Sequence, residues 1–259
     1  MRPSRSPSPA ATRQAKEVHR ELQIASIEEI DAELIAAYYG AITRYRPLRH
    51  EEGHLIQSRR HGVITINERW LEHPRAKWLV SHELGHFLLH PEVDQYRACT
   101  LGDLHDYRHS GREPEANRFA AELLMPERFF KDDCDRDRPC LDDIIELADR
   151  YGTSLLSTAI RFTKFSPERC AAVVSRDGRV TRVSRSADWR YFIPDEHHLT
   201  NATYAGDLHA GRNIPSRPQR VEARAWSDAT WIGDQDVFEH TMLLGGTGMV
   251  LTMLWEPFE

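Results

Sequence analysis

The 259-residue chain has little that would tie it to a bilayer, an oxidising compartment or a nucleic-acid backbone. No apolar run approaches the roughly 20 residues that span a membrane. Only four cysteines occur, Cys99, Cys134, Cys140 and Cys170, with no Cys-x-x-Cys pair among them, so reduced thiols in a cytoplasmic protein are expected. A formal net charge of -6 argues against binding nucleic acid or anionic lipid through bulk charge. Met1 to Arg13 lacks the apolar core of a secretion signal; its Pro, Ser, Arg and Ala read as a disordered tail, drawn to residue 16. Gly245-Gly246-Thr247-Gly248 lacks the Lys-Ser/Thr of a phosphate loop and reads as a tight turn before the last strand.

What is present is His82-Glu83-Leu84-Gly85-His86. On a helix of about 3.6 residues per turn, His82 and His86 project from one face one turn apart, so two imidazoles can reach one metal ion. Glu83, one position round, can take a proton from a metal-activated water without occupying a ligand position. His90 continues the column, yet eight residues are about 12 Å of helix rise, too far for His82 and His90 to share an ion. It reads as a helix-end or cleft residue.

Around the motif, Ser26 to Gly40 carries Ile27, Ile30, Leu34 and Ile35 at helical intervals and predicts a helix of about four turns. Gly53 to Ser58 and Gly62 to Asn67 read as short segments flanking a basic turn, the second a β-branched strand. Pro74 opens the motif helix, from about Arg75 to His90, and Pro91 closes it. Glu92 to Arg112 shows no clean period. Pro114 sits in the first turn of a further helix ending at Met125-Pro126. Asp142 to Tyr151 and Ser154 to Phe162 are two more helices. Beyond Pro167 short strands alternate with turns: Ala171 to Ser175, Asp177-Gly178, Val180 to Val183 and Val250 to Trp255.

A catalytic zinc site needs a third protein ligand and an open position. Glu113 and Glu115 are the candidates. The buried stripe of the following helix is Ala116, Phe119, Ala120, Leu123 and Leu124; at about 100° per residue Glu113 lies roughly 50° from its centre and Glu115 roughly 110°. Phase selects Glu113, with Pro114 leaving that helix start loosely defined.

These residues carry a resemblance. Gly62-Val63-Ile64-Thr65-Ile66-Asn67, then His82 to His90, then Glu113-x-x-Ala116-Asn117-x-Phe119-Ala120-Ala121-Glu122-Leu123-Leu124-Met125-Pro126 are similar to the ImmA/IrrE family of bacterial metallopeptidases, over roughly Ile27 to Phe162. The resemblance implies an α+β, zincin-like peptidase domain at 17–166, with the motif helix against a small sheet, and a smaller α/β, sensor-like or regulatory domain at 167–259. It implies Zn²⁺ held by His82, His86 and Glu113, Glu83 as catalytic base, and a helix-turn-helix repressor as protein substrate, in stress response or mobile-element control. Tyr96, His105, Tyr107 and His109 are candidates to steady the oxyanion, and His90 and Asn117 to support the ligands. The alternative is a non-proteolytic sensor or binding module in which zinc is structural.

Two weaker signals point elsewhere. The helix pair 142–162 has the length of a helix-turn-helix, but Asp142, Asp143, Glu146 and Asp149 would repel phosphate, and only Ser157, Thr158 and Arg161 could reach a groove. Packing against the peptidase core is the expected role, and direct nucleic-acid binding is not. Arg212, Arg217, Arg220 and Arg224 read as a solvated loop, with an acidic or nucleic-acid effector as the sharper reading.

Overall fold

The computed structural model describes residues 9–58, 60–91, 95–99, 111–227, 235–245 and 247–257. It is a mixed α+β chain that divides into two compact units. One comprises the described residues up to Phe129 together with Asp149–Ser154, and the other Phe130–Ala148 with Leu155–Glu259. The sequence suggested a single boundary at 166; the compact units instead interleave, with most of the helix pair grouped with the C-terminal strands. Among the described residues no helix is long and apolar enough to cross a membrane.

The first unit opens on α1 (Pro9–Glu21), so the tail expected to reach residue 16 is corrected from Pro9 onward. Composition misled there because the buried face is alanine. Ala11, Ala15 and Val18 are fully buried at spacings of four and three, which mark one helix face. α1 packs on α4 (Arg112–Leu124), and His19 Nε2 lies 2.9 Å from Leu123 O. The four-turn helix expected from Ser26 is likewise corrected. It is a 3-10 turn at Ile27–Glu29 followed by the short α2 (Ala32–Tyr38). Asp31 makes the break: its backbone is extended and its carboxylate caps the amides of Glu33 and Leu34, an N-cap that starts a new helix.

A four-stranded sheet follows in the order β1-β3-β2-β4. Its strands are β1 (Ala41–Arg46), β2 (Gly53–Gln57), β3 (Gly62–Asn67) and β4 (Gln95–Cys99). β1 runs parallel to β3, while β2 is antiparallel to both β3 and β4. β3 is nearly all buried and carries the β-branched run. α3 (Pro74–Leu89) packs on β1, β2 and β3 and against α2 and α4, so it is covered on several sides. Its residues Trp78 to His86 are all buried.

Three helices connect onward: α5 (Glu127–Asp133), α6 (Leu141–Tyr151) and α7 (Leu155–Phe165). Ser157, Thr158 and Arg161, the candidate groove contacts, are all buried, and Arg161 stacks on Phe165 within α7. They are not presented to DNA.

In the second unit, β5 (Cys170–Arg176), β6 (Arg179–Arg185), β7 (Gln219–Glu222), β8 (Asp236–Leu244) and β9 (Met249–Trp255) form an antiparallel sheet. The order is β6-β5-β9-β8-β7. The short α8 (Tyr204–His209) packs on β8 and β9. Glu239, 1% exposed, accepts hydrogen bonds from Ala205 N, Trp226 Nε1 and Thr241 Oγ1, donors that offset the burial of a carboxylate. Three of the four arginines in the basic stretch are matched by acids: Arg212 by Asp207, Arg220 by Asp236 and Arg224 by Glu222. That pairing favours the solvated reading over an effector contact. Burial pushes the thiols of Cys134 and Cys170 up to about 12 and that of Cys140 up to about 11, so at neutral pH they are protonated and weakly nucleophilic.

Burial also depresses three histidines below their ordinary 6.5: His19 in the first unit, and His209 and His240 in the second. A depressed histidine binds its proton less readily when folded than when unfolded. Its contribution to stability is therefore intact above 6.5, begins to be lost as pH falls below that value and is gone once pH has fallen through the depressed value of the folded ring. His19→Gln keeps a donor for Leu123 O but does not titrate. Its melting temperature is expected to fall less between pH 7 and 5 than that of the unmodified chain; equal or steeper loss would contradict the assignment.

Candidate metal centre

Pro74 stands at the first position of α3 and the His73 side chain caps the Arg75 amide. The helix places His82 and His86 one turn apart, both within 1% of full burial. α4 crosses beside it, and the close approach depends on Gly85. A Cβ at that position would stand 3.1 Å from both Ala116 Cα and Phe119 Cδ1. Ala116 Cα is backbone and cannot turn aside, so α3 has no room for a side chain where it meets Ala116 and Phe119 of α4. Gly85→Ala is accordingly expected to destabilise the fold. Alanine gains about 1 kcal/mol of helix propensity, but overpacking costs about 1–3 kcal/mol. Thermal denaturation checks the sign, and a raised melting temperature would contradict the close contact.

That approach brings three donor atoms together. His82 Nε2 and His86 Nε2 are 3.1 Å apart, and each is 3.1 Å from Glu113 Oε2. Two bare imidazole nitrogens facing each other repel unless a proton or cation lies between them. Tetrahedral zinc with ligands at about 2.0 Å separates its donors by about 3.3 Å, close to each edge of this triangle. Glu113 is 26% exposed at its side chain, which leaves the site an open side.

Glu115 turns away from the triangle. Its Oε2 lies 3.6 Å from His90 Nε2, so α4 sends one glutamate to the histidine pair and the other to the end of α3. His90 ends α3, and its carbonyl accepts from Gln57 on β2. Glu83 is fully buried and its Oε1 lies 3.6 Å from where a Cβ on Gly53 would stand, so its carboxylate faces β2. Asn117 Oδ1 is 3.0 Å from His82 Nδ1. Tyr96 stands opposite Ile56 in the β4–β2 register; His105, Tyr107 and His109 lie outside the described residues. The pairing of His90 with Glu115 was not read from the sequence, although their positions beside His86 and Glu113 carry the signal. Nor was the close approach at Gly85, which a glycine facing Ala116 could have suggested.

The half of the chain that builds this site also matches a known family. The model of the IrrE N-terminal-like domain, a metallopeptidase family, matches residues 33–163. The chain belongs to the ImmA/IrrE family. Among its relatives is the "Uncharacterized immunity region protein 2" of Bacillus phage phi105, 37% identical over 83 residues. That alignment covers 31% of this chain and 49% of the phage protein, so the chain spans about half that relative's length. The structure of a Mycobacterium tuberculosis transcriptional regulator is similar with a TM-score of 0.58 at 17% identity, over 95% of this chain and 86% of that one. At that identity the likeness is one of fold.

In this ImmA/IrrE-family site, burial acts to raise the Glu113 carboxyl, but hydrogen bonds and charge from His82 and His86 outweigh it and hold it far below the usual range. For His82 burial acts to lower the ring, and Glu113, Glu83 and Asn117 together raise it above its ordinary value. The triangle thus gathers positive charge, by protons or by a metal ion. A second group, Cys140, Asp142 and His240, also brings ligand-type atoms within 4.8 Å. There His240 Nδ1 accepts from Leu141 N at 3.1 Å and the ring also bonds the Ser216 backbone. Its nitrogens are committed to the fold.

Proposed function

We propose that the chain is a zinc-dependent endopeptidase that hydrolyses a peptide bond in a helix-turn-helix repressor. The observation that carries the reading is the triangle of His82 Nε2, His86 Nε2 and Glu113 Oε2, each edge 3.1 Å. Two imidazoles and one carboxylate with an open side fit a catalytic zinc ion better than a structural one, which is closed by four protein ligands. When bound, zinc supplies a Lewis acid that polarises the scissile carbonyl and makes water acidic enough to attack near neutral pH.

His82, His86 and Glu113 would hold the ion. Glu83 lies one residue round the helix from His82, outside the triangle, and serves as the base. Its carboxylate takes a proton from the attacking water while the oxygen joins the carbonyl carbon. It then delivers that proton to the leaving nitrogen as the C–N bond breaks. Full burial of Glu83 shields this transfer from bulk solvent, where the proton would be lost.

The partner is proposed from the family resemblance and from the name of one relative, an immunity-region protein, which support a role in transcriptional control. The test is incubation of the zinc-loaded chain with purified helix-turn-helix repressors, starting with any encoded beside its gene, followed by intact-mass measurement. Two fragments whose masses sum to a repressor plus one water are expected, lost on chelation and restored by zinc. Repressors that all stay whole under all three conditions contradict the proposal.

A further inference from the structure

We propose that Asn117 is a positioning residue that fixes His82 in the ring tautomer able to ligate metal. The inference rests on the reading of the triangle as a zinc site. His82 Nδ1 lies 3.0 Å from Asn117 Oδ1. An amide oxygen carries no hydrogen, so the proton of this contact sits on Nδ1. The neutral ring then has its one available lone pair on Nε2, the atom 3.1 Å from both His86 Nε2 and Glu113 Oε2.

α4 does both jobs from one face. Glu113 and Asn117 are four residues apart and stack one turn above the other, so the same helix sends a carboxylate to Nε2 of His82 and an acceptor to its Nδ1. Asn117 and His82 are both 0% exposed, so solvent does not stand in for the amide. The choice of an amide over a carboxylate follows from charge. Glu83 and Glu113 already place two carboxylates at the site, which balance a dication. A third would leave a buried net negative charge.

The test compares zinc affinity by chelator competition in the full chain, Asn117→Leu and Asn117→Asp, alongside thermal unfolding of each metal-free protein. Removing the acceptor with leucine, similar in volume, is expected to weaken zinc binding about 10–100-fold. Aspartate, which keeps an oxygen at the same place, is expected to recover most of that loss. Equal affinities for leucine and aspartate, with only the melting temperatures changed, would mean that Asn117 merely packs. Should the leucine variant fail to fold, ring-nitrogen NMR of the zinc-loaded unmodified chain decides: Nδ1–H on His82 is required, and a proton on Nε2 overturns the inference. An unmodified chain that takes up no zinc sinks the reading of the triangle itself, a different outcome from normal uptake that is indifferent to position 117.

Discussion

Glu83→Gln is expected to bind zinc as the unmodified chain does and to cleave the repressor about 10²–10⁴-fold more slowly, the usual contribution of a positioned general base. Glutamine keeps the shape of the side chain, which matters because Glu83 is fully buried and a smaller residue would leave a cavity. It removes only the ability to accept a proton at neutral pH. The proposed metal donors are on other residues: the triangle is made of His82, His86 and Glu113, so zinc content should hold. Cleavage at the unmodified rate would remove Glu83 from the chemistry. Loss of zinc with loss of activity would make it a ligand or a structural support.

The second large effect separates two glutamates two residues apart. Glu113→Ala removes an oxygen that stands 3.1 Å from each histidine nitrogen and is expected to lower zinc affinity by about a hundredfold or more, beyond what changes outside the ligands themselves cost. Glu115→Ala removes the partner of His90 and is expected to leave zinc affinity within a few-fold. Competition with a chromophoric chelator measures both. If Glu115→Ala releases the metal and Glu113→Ala does not, the placement of α4 beside α3 is wrong.

The parts of the fold that the sequence made legible are those in which large apolar residues set a period. α3 was legible from its motif, its apolar flank and the prolines at each end. β3 was legible from Val63-Ile64-Thr65-Ile66. The mixed α+β class was implied by the family resemblance that these residues carry. α1 was hidden because Ala11 and Ala15 bury well against α4 but carry almost no hydrophobic signal in a stretch otherwise rich in charge. β1 was hidden for a related reason: Ile42, Arg44 and Arg46 on its outward side are exposed and the other side is Ala41, Thr43 and Tyr45, so neither side shows an aliphatic run. Asp31, inside the stretch expected to be one helix, starts α2 afresh because its carboxylate accepts from the free amides of Glu33 and Leu34 in the first turn.

At the site, residue types and spacing pointed to His82, Glu83, His86 and Glu113 as one chemical group. Helical phase alone could rank Glu113 over Glu115, but only the packing of α4 on α3 gives Glu115 somewhere else to go. Distances between helices are not written in the phase of either one. They depend on Gly85 meeting Ala116, a contact between two residues with almost no side chain. The C-terminal sheet shows the same limit from the other side: its core and its buried Glu239 are built from residues distant in sequence, and no local motif announces them.

Three protein donors and one open position should give a distinctive signal in X-ray absorption at the zinc edge of the loaded full chain. Two imidazole nitrogens, one carboxylate oxygen and one exchangeable water oxygen at about 2.0–2.1 Å are expected. A fourth protein ligand closing the site, or zinc bound without either imidazole, would contradict a catalytic zinc site.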